Sequence, residues 1–209
     1  MIVAYSNNMP INRILDLSGT ADRRWGEQHN ISRKEAYAKG INHISDALKW
    51  CKEEDVRMLS MWGFSTDNFN RDRNEIDGLF ELFKTNLRKV IEDANREKNE
   101  HKDEVRVRFI GRTSLFPKEF QELIRIAEEQ TKGGTKYQLN LLLAYGGHEE
   151  IIDAVNSLLK EAANGGKKEI TSEDFANHLY TKGVPNPDLV IRTSGEQRTS
   201  GLLPWQSAY

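Results

Sequence analysis

Apolar runs of strand length alternate with amphipathic stretches of helical length along this chain, and that order confines it to an α/β fold. Residues 56–64, 105–110 and 137–144 read as strands, with 13–19 as a first strand and 188–191 as a last one after the turn Val184-Pro185-Asn186-Pro187. Between them, residues 32–52, 73–98, 117–132 and 149–163 carry helical periodicity, and Thr171-Ser172-Glu173 starts a short helix. Ser32 with Glu35 forms a capping box, and Pro117 suits a first helical turn. Strands separated by helices are joined most simply as parallel neighbours. The expectation is one α/β domain over residues 1–209, with a mainly parallel central sheet flanked by helices.

Composition narrows the function classes. Charged residues make up 30% and apolar residues 37% of 209 residues, the balance of a soluble globular chain. A net charge of −2 supplies no overall basic field for nucleic acid. One cysteine, Cys51, excludes a disulfide framework and reads as a small apolar residue on a helix face. No apolar run reaches transmembrane length and the first residues are too short for a signal peptide, so a cytoplasmic location is expected. Walker-type loops, Gly-x-Gly-x-x-Gly, His-Glu-x-x-His and Gly-x-Ser-x-Gly do not occur. His148 and His178 stand alone and read as helix-end hydrogen bonders.

Three polar, arginine-bearing loops remain, each after a strand signal: 20–25, 65–71 and 192–200. Parallel strands share one C-terminal edge, where open α/β sheets bind ligands, so convergence of these loops is expected. Arginine forks and hydroxyls match phosphate oxygens. Two of the loops have a plainer reading. The last reads equally as a solvated turn, and Trp25 reads equally as an indole folded onto the core. Ile76, Leu79, Phe80, Phe83, Leu87, Val90 and Ile91 give residues 73–98 a broad apolar face that reads as core before it reads as a slot for an apolar ligand.

These loops together resemble the cis-prenyltransferase family, to which undecaprenyl diphosphate synthases belong. Residues 64–71, Phe-Ser-Thr-Asp-Asn-Phe-Asn-Arg, are similar to the family's Phe-Ser-x-Glu-Asn-Trp-x-Arg. Tyr145-Gly146-Gly147 before an acidic helix start matches a second block, and residues 187–200 match a third most closely. The resemblance implies condensation of an allylic prenyl diphosphate with isopentenyl diphosphate, assisted by Mg²⁺, with the growing chain in an apolar tunnel between the sheet and two helices. By position it implies that Arg192, Arg198 and Ser200 bind isopentenyl diphosphate, while Arg24 and Arg33 belong to the allylic diphosphate site. Asn68, Ser65 and Arg71 fall on the catalytic loop; Trp25, Phe69 and Glu75 fall on a mobile substrate-sensing segment. Met61, Gly63, Phe83 and Leu141 are implied tunnel lining. Prenyl diphosphates, a homodimer and peripheral membrane association through the lipid product are the implied partners, with no nucleic acid among them.

The sequence departs from the family in three places. Thr20 stands where the family's Asp-Gly-Asn-(Gly/Arg)-Arg-Trp motif has its Mg²⁺-binding catalytic aspartate. A hydroxyl there brings no negative charge to a hard cation that carboxylates usually anchor. Tyr37 replaces a histidine, and the sequence given stops at Tyr209, ahead of the family's second metal-linked glutamate. Two functions therefore fit the sequence: a prenyltransferase of altered metal dependence, and a catalytically silent prenyl-diphosphate-binding homologue or partner subunit.

Overall fold

Three apolar runs become strands and bury both of their faces. The computed structural model of the protein describes residues 25–95, 104–167, 169–192 and 197–208. Within them β1 (Met58–Ser65), β2 (Val105–Ile110) and β3 (Tyr137–Tyr145) form one sheet in the order β1-β3-β2, with both ladders parallel. Among the described residues the helices are α1 (Arg33–Glu53), α2 (Arg73–Asn95), α3 (Lys118–Thr131), α4 (Gly147–Ala163) and α5 (Ser172–Ala176). None is long and apolar enough to cross a membrane.

Local signals set several boundaries. The Ser32 hydroxyl accepts from the Glu35 N–H at 3.2 Å, and the Ser32 N–H donates to Glu35 Oε2 at 3.0 Å. This capping box starts α1 and contributes about 1 kcal/mol. At the other end Asp55 takes a φ of +49°, and the Val56 N–H donates to the Cys51 carbonyl at 2.7 Å, which turns the chain into β1. Pro117, without an N–H, takes the N-cap position of α3.

The sheet has two differently clothed faces. Leu59, Met61, Val107 and Leu139 pack on Ala47 and Cys51 of α1, while Phe64 and Leu143 join Leu79, Leu87, Phe120 and Ile124 of α2 and α3. Phe64 and Phe120 are each 1% exposed, and burying such a side chain contributes about 1.5–3 kcal/mol. The opposite face presents Ile110 and Leu142 to Val190, Leu202 and Leu203. One irregularity decides which side chains reach the helical face. Trp62 pairs with Leu142 and Phe64 with Leu143, which leaves Gly63 as an extra residue in β1. The bulge reverses the alternation after Met61, so Phe64 rather than Gly63 enters the core.

Residues 188–191 correct the sequence reading, because they form no strand. Val190 is buried against Ile110, Leu142 and Tyr145, so its burial comes from side-chain packing and not from a ladder. Pro185 and Pro187 just before it lack N–H donors. The strand expected at 13–19 lies outside the described residues, as do residues 96–103.

Candidate active site

Pairing at the ends of the strands assembles the site. Ser65 is the ladder partner of Tyr145, so the loops that follow β1 and β3 start side by side. The segment after Ser200 reaches the same edge. A Cβ on Gly147 would lie 2.4 Å from the Gly201 carbonyl oxygen and 2.4 Å from Pro204 Cδ, so only glycine admits this approach. The loop at 65–71 and the described end of the loop at 192–200 therefore both reach the end of β3. The loop at 20–24, with Thr20 and Arg24, lies outside the described residues.

The starts of α1 and α2 add a charged cluster. Arg33 Nη1 donates to Glu75 Oε2 at 2.6 Å, and the Tyr37 hydroxyl donates to Glu75 Oε1 at 2.8 Å. Arg71 Nη1 donates to the Tyr37 oxygen at 3.0 Å and to Glu75 Oε1 at 3.1 Å. Glu75 and Arg71 are enclosed, with side-chain exposures of 8% and 20%, whereas Arg33 at 53% is open to solvent. Burial alone would raise the Glu75 carboxyl. The hydrogen bonds from Tyr37 and Arg33, with the charges of Arg71 and Arg33, outweigh it and hold the group below the usual carboxylate range. Two guanidiniums facing one carboxylate leave an excess positive charge, and that excess attracts an anion.

The other expected site residues have partners of their own. The half-buried Asn68 lies in the 3₁₀ turn Thr66–Asn70, and its Oδ1 accepts from the Ser65 N–H at 3.2 Å. Phe69 packs edge-on to Phe64 with ring centroids 4.9 Å apart, as part of the aromatic cluster with Phe80 and Phe116. Trp25 is not folded onto the core. It is 38% exposed, stacked on His29 at 4.3 Å, with Lys39 Nζ 5.0 Å from its ring centre. Arg192 Nη1 donates to Ser200 Oγ at 2.8 Å and to the Arg198 carbonyl, closing the last loop on itself. Arg192 Nε is buried with no hydrogen-bond partner among the described residues.

Of the implied tunnel residues, Met61 and Leu141 are cross-strand partners on the helical face. Gly63 is exposed, and a Cβ there would lie 3.9 Å from the Phe83 ring and 3.0 Å from Leu143 Cδ2. Gly63 and Phe83 thus sit side by side.

A family model described as "Putative undecaprenyl diphosphate synthase" matches residues 20–209. The chain belongs to the cis-prenyltransferase family. The tritrans,polycis-undecaprenyl-diphosphate synthase (geranylgeranyl-diphosphate specific) of Thermoplasma acidophilum is 38% identical over 202 residues, covering 96% of this chain and 77% of that protein. An isoprenyl transferase of Thermus thermophilus is 43% identical over 209 residues, with the same 96% and 77% coverage. Among solved structures, lavandulyl diphosphate synthase from Lavandula x intermedia, in complex with dimethylallyl diphosphate, superposes with a TM-score of 0.84. It is 26% identical, and the match covers 96% of this chain and 84% of that one.

Two networks of this cis-prenyltransferase, one buried and one half-buried, escaped the sequence reading. Glu150, fully buried in the first turn of α4, accepts from the Tyr145 hydroxyl at 2.6 Å, Gln206 Nε2 at 3.0 Å and the Thr181 N–H at 3.2 Å. Arg112, just after β2, holds Asp153 of α4 with two bonds of 2.8 Å, and the Tyr180 hydroxyl donates to the same carboxylate. The acidic start of α4 was the available signal for Glu150; the partners, 31 and 56 residues away, have none. His178 does bond at a helix end, Nδ1 to the Asp174 carbonyl at 2.8 Å and Nε2 to Glu161 at 3.0 Å.

The described residues do not by themselves make a Mg²⁺ site. No three His, Cys, Asp or Glu side chains among them cluster to hold an ion. Both oxygens of Glu75 already face donors from Arg33, Tyr37 and Arg71. A hard divalent cation is anchored by open carboxylate oxygens, and Glu75 offers none.

Proposed function

We propose that the protein is a prenyltransferase that condenses an allylic prenyl diphosphate with isopentenyl diphosphate, or another acceptor, to give an isoprenoid. The observation that carries this reading is the Arg33–Tyr37–Arg71–Glu75 cluster, with its excess positive charge, at the starts of the helices that flank the converging loops. In the reaction the allylic carbon–oxygen bond breaks and its electron pair leaves with the diphosphate. The double bond of the acceptor attacks the allylic carbon, and a proton is lost to form the new double bond. Arg33 and Arg71 stabilise the charge growing on the leaving group. Arg192, Arg198 and Ser200 hold the second diphosphate. Ser65 and Asn68, fixed by the 3₁₀ turn, serve the proton-loss end of the reaction. The prenyl tail runs along the helical face of the sheet past Gly63 and Phe83.

The test is incubation with labelled isopentenyl diphosphate and dimethylallyl, farnesyl or geranylgeranyl diphosphate, each with Mg²⁺ and with a chelator. Chain-extended product is expected, and absence of product in every arm overturns the reading. Thr20 favours a second reading, a diphosphate-binding homologue or partner subunit without turnover. Diphosphate binding with no product in any arm would select it. We also propose a homodimer that works in the cytoplasm and meets the membrane through its product; light scattering gives the mass and vesicle sedimentation the association.

A further inference from the structure

We infer that Tyr37 is a positioning residue of the allylic-diphosphate site, whose phenolic oxygen holds the Arg71 guanidinium open toward the diphosphate. The inference rests on the prenyltransferase reading and deepens it.

Tyr37 lies one helical turn after Arg33, so both side chains leave the same face of α1. Its ring packs in the cluster of Phe64, Leu79 and Leu87, and the residue is only 6% exposed. Packing therefore fixes the ring and delivers the hydroxyl to one point. Proton chemistry then dictates the direction of each bond. A carboxylate only accepts and a guanidinium only donates, so the phenol gives its hydrogen to Glu75 and receives one from Arg71.

This junction prevents a competing arrangement. A guanidinium beside a carboxylate tends to form two parallel bonds, which would commit both of its terminal nitrogens. Here Glu75 Oε2 is taken by Arg33, and Oε1 is shared between Tyr37 and Arg71. Among the described residues, Arg71 is anchored through Nη1 alone. Its Nη2 and Nε have no hydrogen bond among the described residues and remain donors for an anion. Without the phenolic oxygen, Arg71 is free to close onto Glu75 and withdraw those donors.

The experiment uses the full chain with inorganic pyrophosphate as the probe, measured by titration calorimetry. It compares wild type, Tyr37→Phe, Arg71→Lys and the double variant. Tyr37→Phe retains the ring, and thermal melts verify that each variant is folded. The dissociation constant for pyrophosphate is expected to rise about five- to tenfold in Tyr37→Phe. The same substitution is expected to change little in the Arg71→Lys background, because Tyr37 acts through Arg71. In steady state the KM for the allylic diphosphate should rise more than kcat falls. Unchanged pyrophosphate affinity in Tyr37→Phe, or an effect that simply adds to that of Arg71→Lys, overturns the inference while leaving the functional reading standing. Failure of the wild type to bind pyrophosphate overturns both.

Discussion

The side-chain amide of Gln206 donates to Glu150 Oε2 at 3.0 Å across 56 residues of sequence. That bond ties the segment beyond Ser200 to the first turn of α4, where Tyr145 and Thr181 donate to the same carboxylate. Burial, then the charge and hydrogen bond of Glu150, push the Tyr145 phenol far above its ordinary range, so it stays a donor. The segment that follows Ser200 thus ends on a fixed support.

Glu150→Ala should destabilise the protein by about 2–4 kcal/mol, because it leaves several buried donors without an acceptor. Glu150→Gln should be milder, since one oxygen still accepts. Urea unfolding of both variants checks this, and an unchanged midpoint for Glu150→Ala would show that the network carries no stability.

Asp153 should add an acid limb to stability. The hydrogen bonds from Arg112 lower its carboxyl most, burial opposes them, and Tyr180 lowers it further. A carboxyl depressed in the folded state stabilises above its unfolded value of about 3.9, and that contribution disappears as pH falls through the lower folded value. The stability gap between wild type and Asp153→Asn should therefore be full at neutral pH and shrink below about pH 4. Melting temperatures of both proteins across the acid range up to neutral pH measure it; a gap independent of pH contradicts the assignment.

Arg192→Ala should raise the KM for isopentenyl diphosphate about tenfold or more, the effect of one lost charge-assisted interaction. The KM for the allylic diphosphate should move little if Arg33 and Arg71, as proposed, serve that substrate. Steady-state kinetics with each substrate varied in turn separate the two. An equal rise in both constants would argue that Arg192 only braces its loop through Ser200.

Thr20→Asp should introduce turnover that requires Mg²⁺, since a carboxylate supplies the charge that a hydroxyl lacks. Product formation with Mg²⁺ and with chelator should then differ by about tenfold or more, the scale of one recovered metal contact. Equal turnover in both conditions would mean that the carboxylate alone does not restore metal use.

Features whose partners lie within a few residues were legible along the chain. The Ser32–Glu35 box, β2, the Ser65–Arg71 loop and the helix start at Thr171 each close through contacts three or four residues apart or through simple alternation. The family resemblance was legible for the same reason, because its motifs are contiguous. Residues 188–191 misled, since an apolar run specifies burial but not which neighbour supplies it. Pairwise chemistry between distant segments stayed out of reach. Tyr37 meets Glu75 across 38 residues and Arg71 across 34, and nothing near Tyr37 in sequence names either partner. The Gly63 bulge likewise depends on how β1 registers against β3. Local hydrogen bonding and periodicity thus wrote the elements and the motif loops into the residue order. The joining of two arginines through one phenol and one carboxylate arose only when packing brought α1 and α2 together, because side-chain geometry at a site is set by contacts in space.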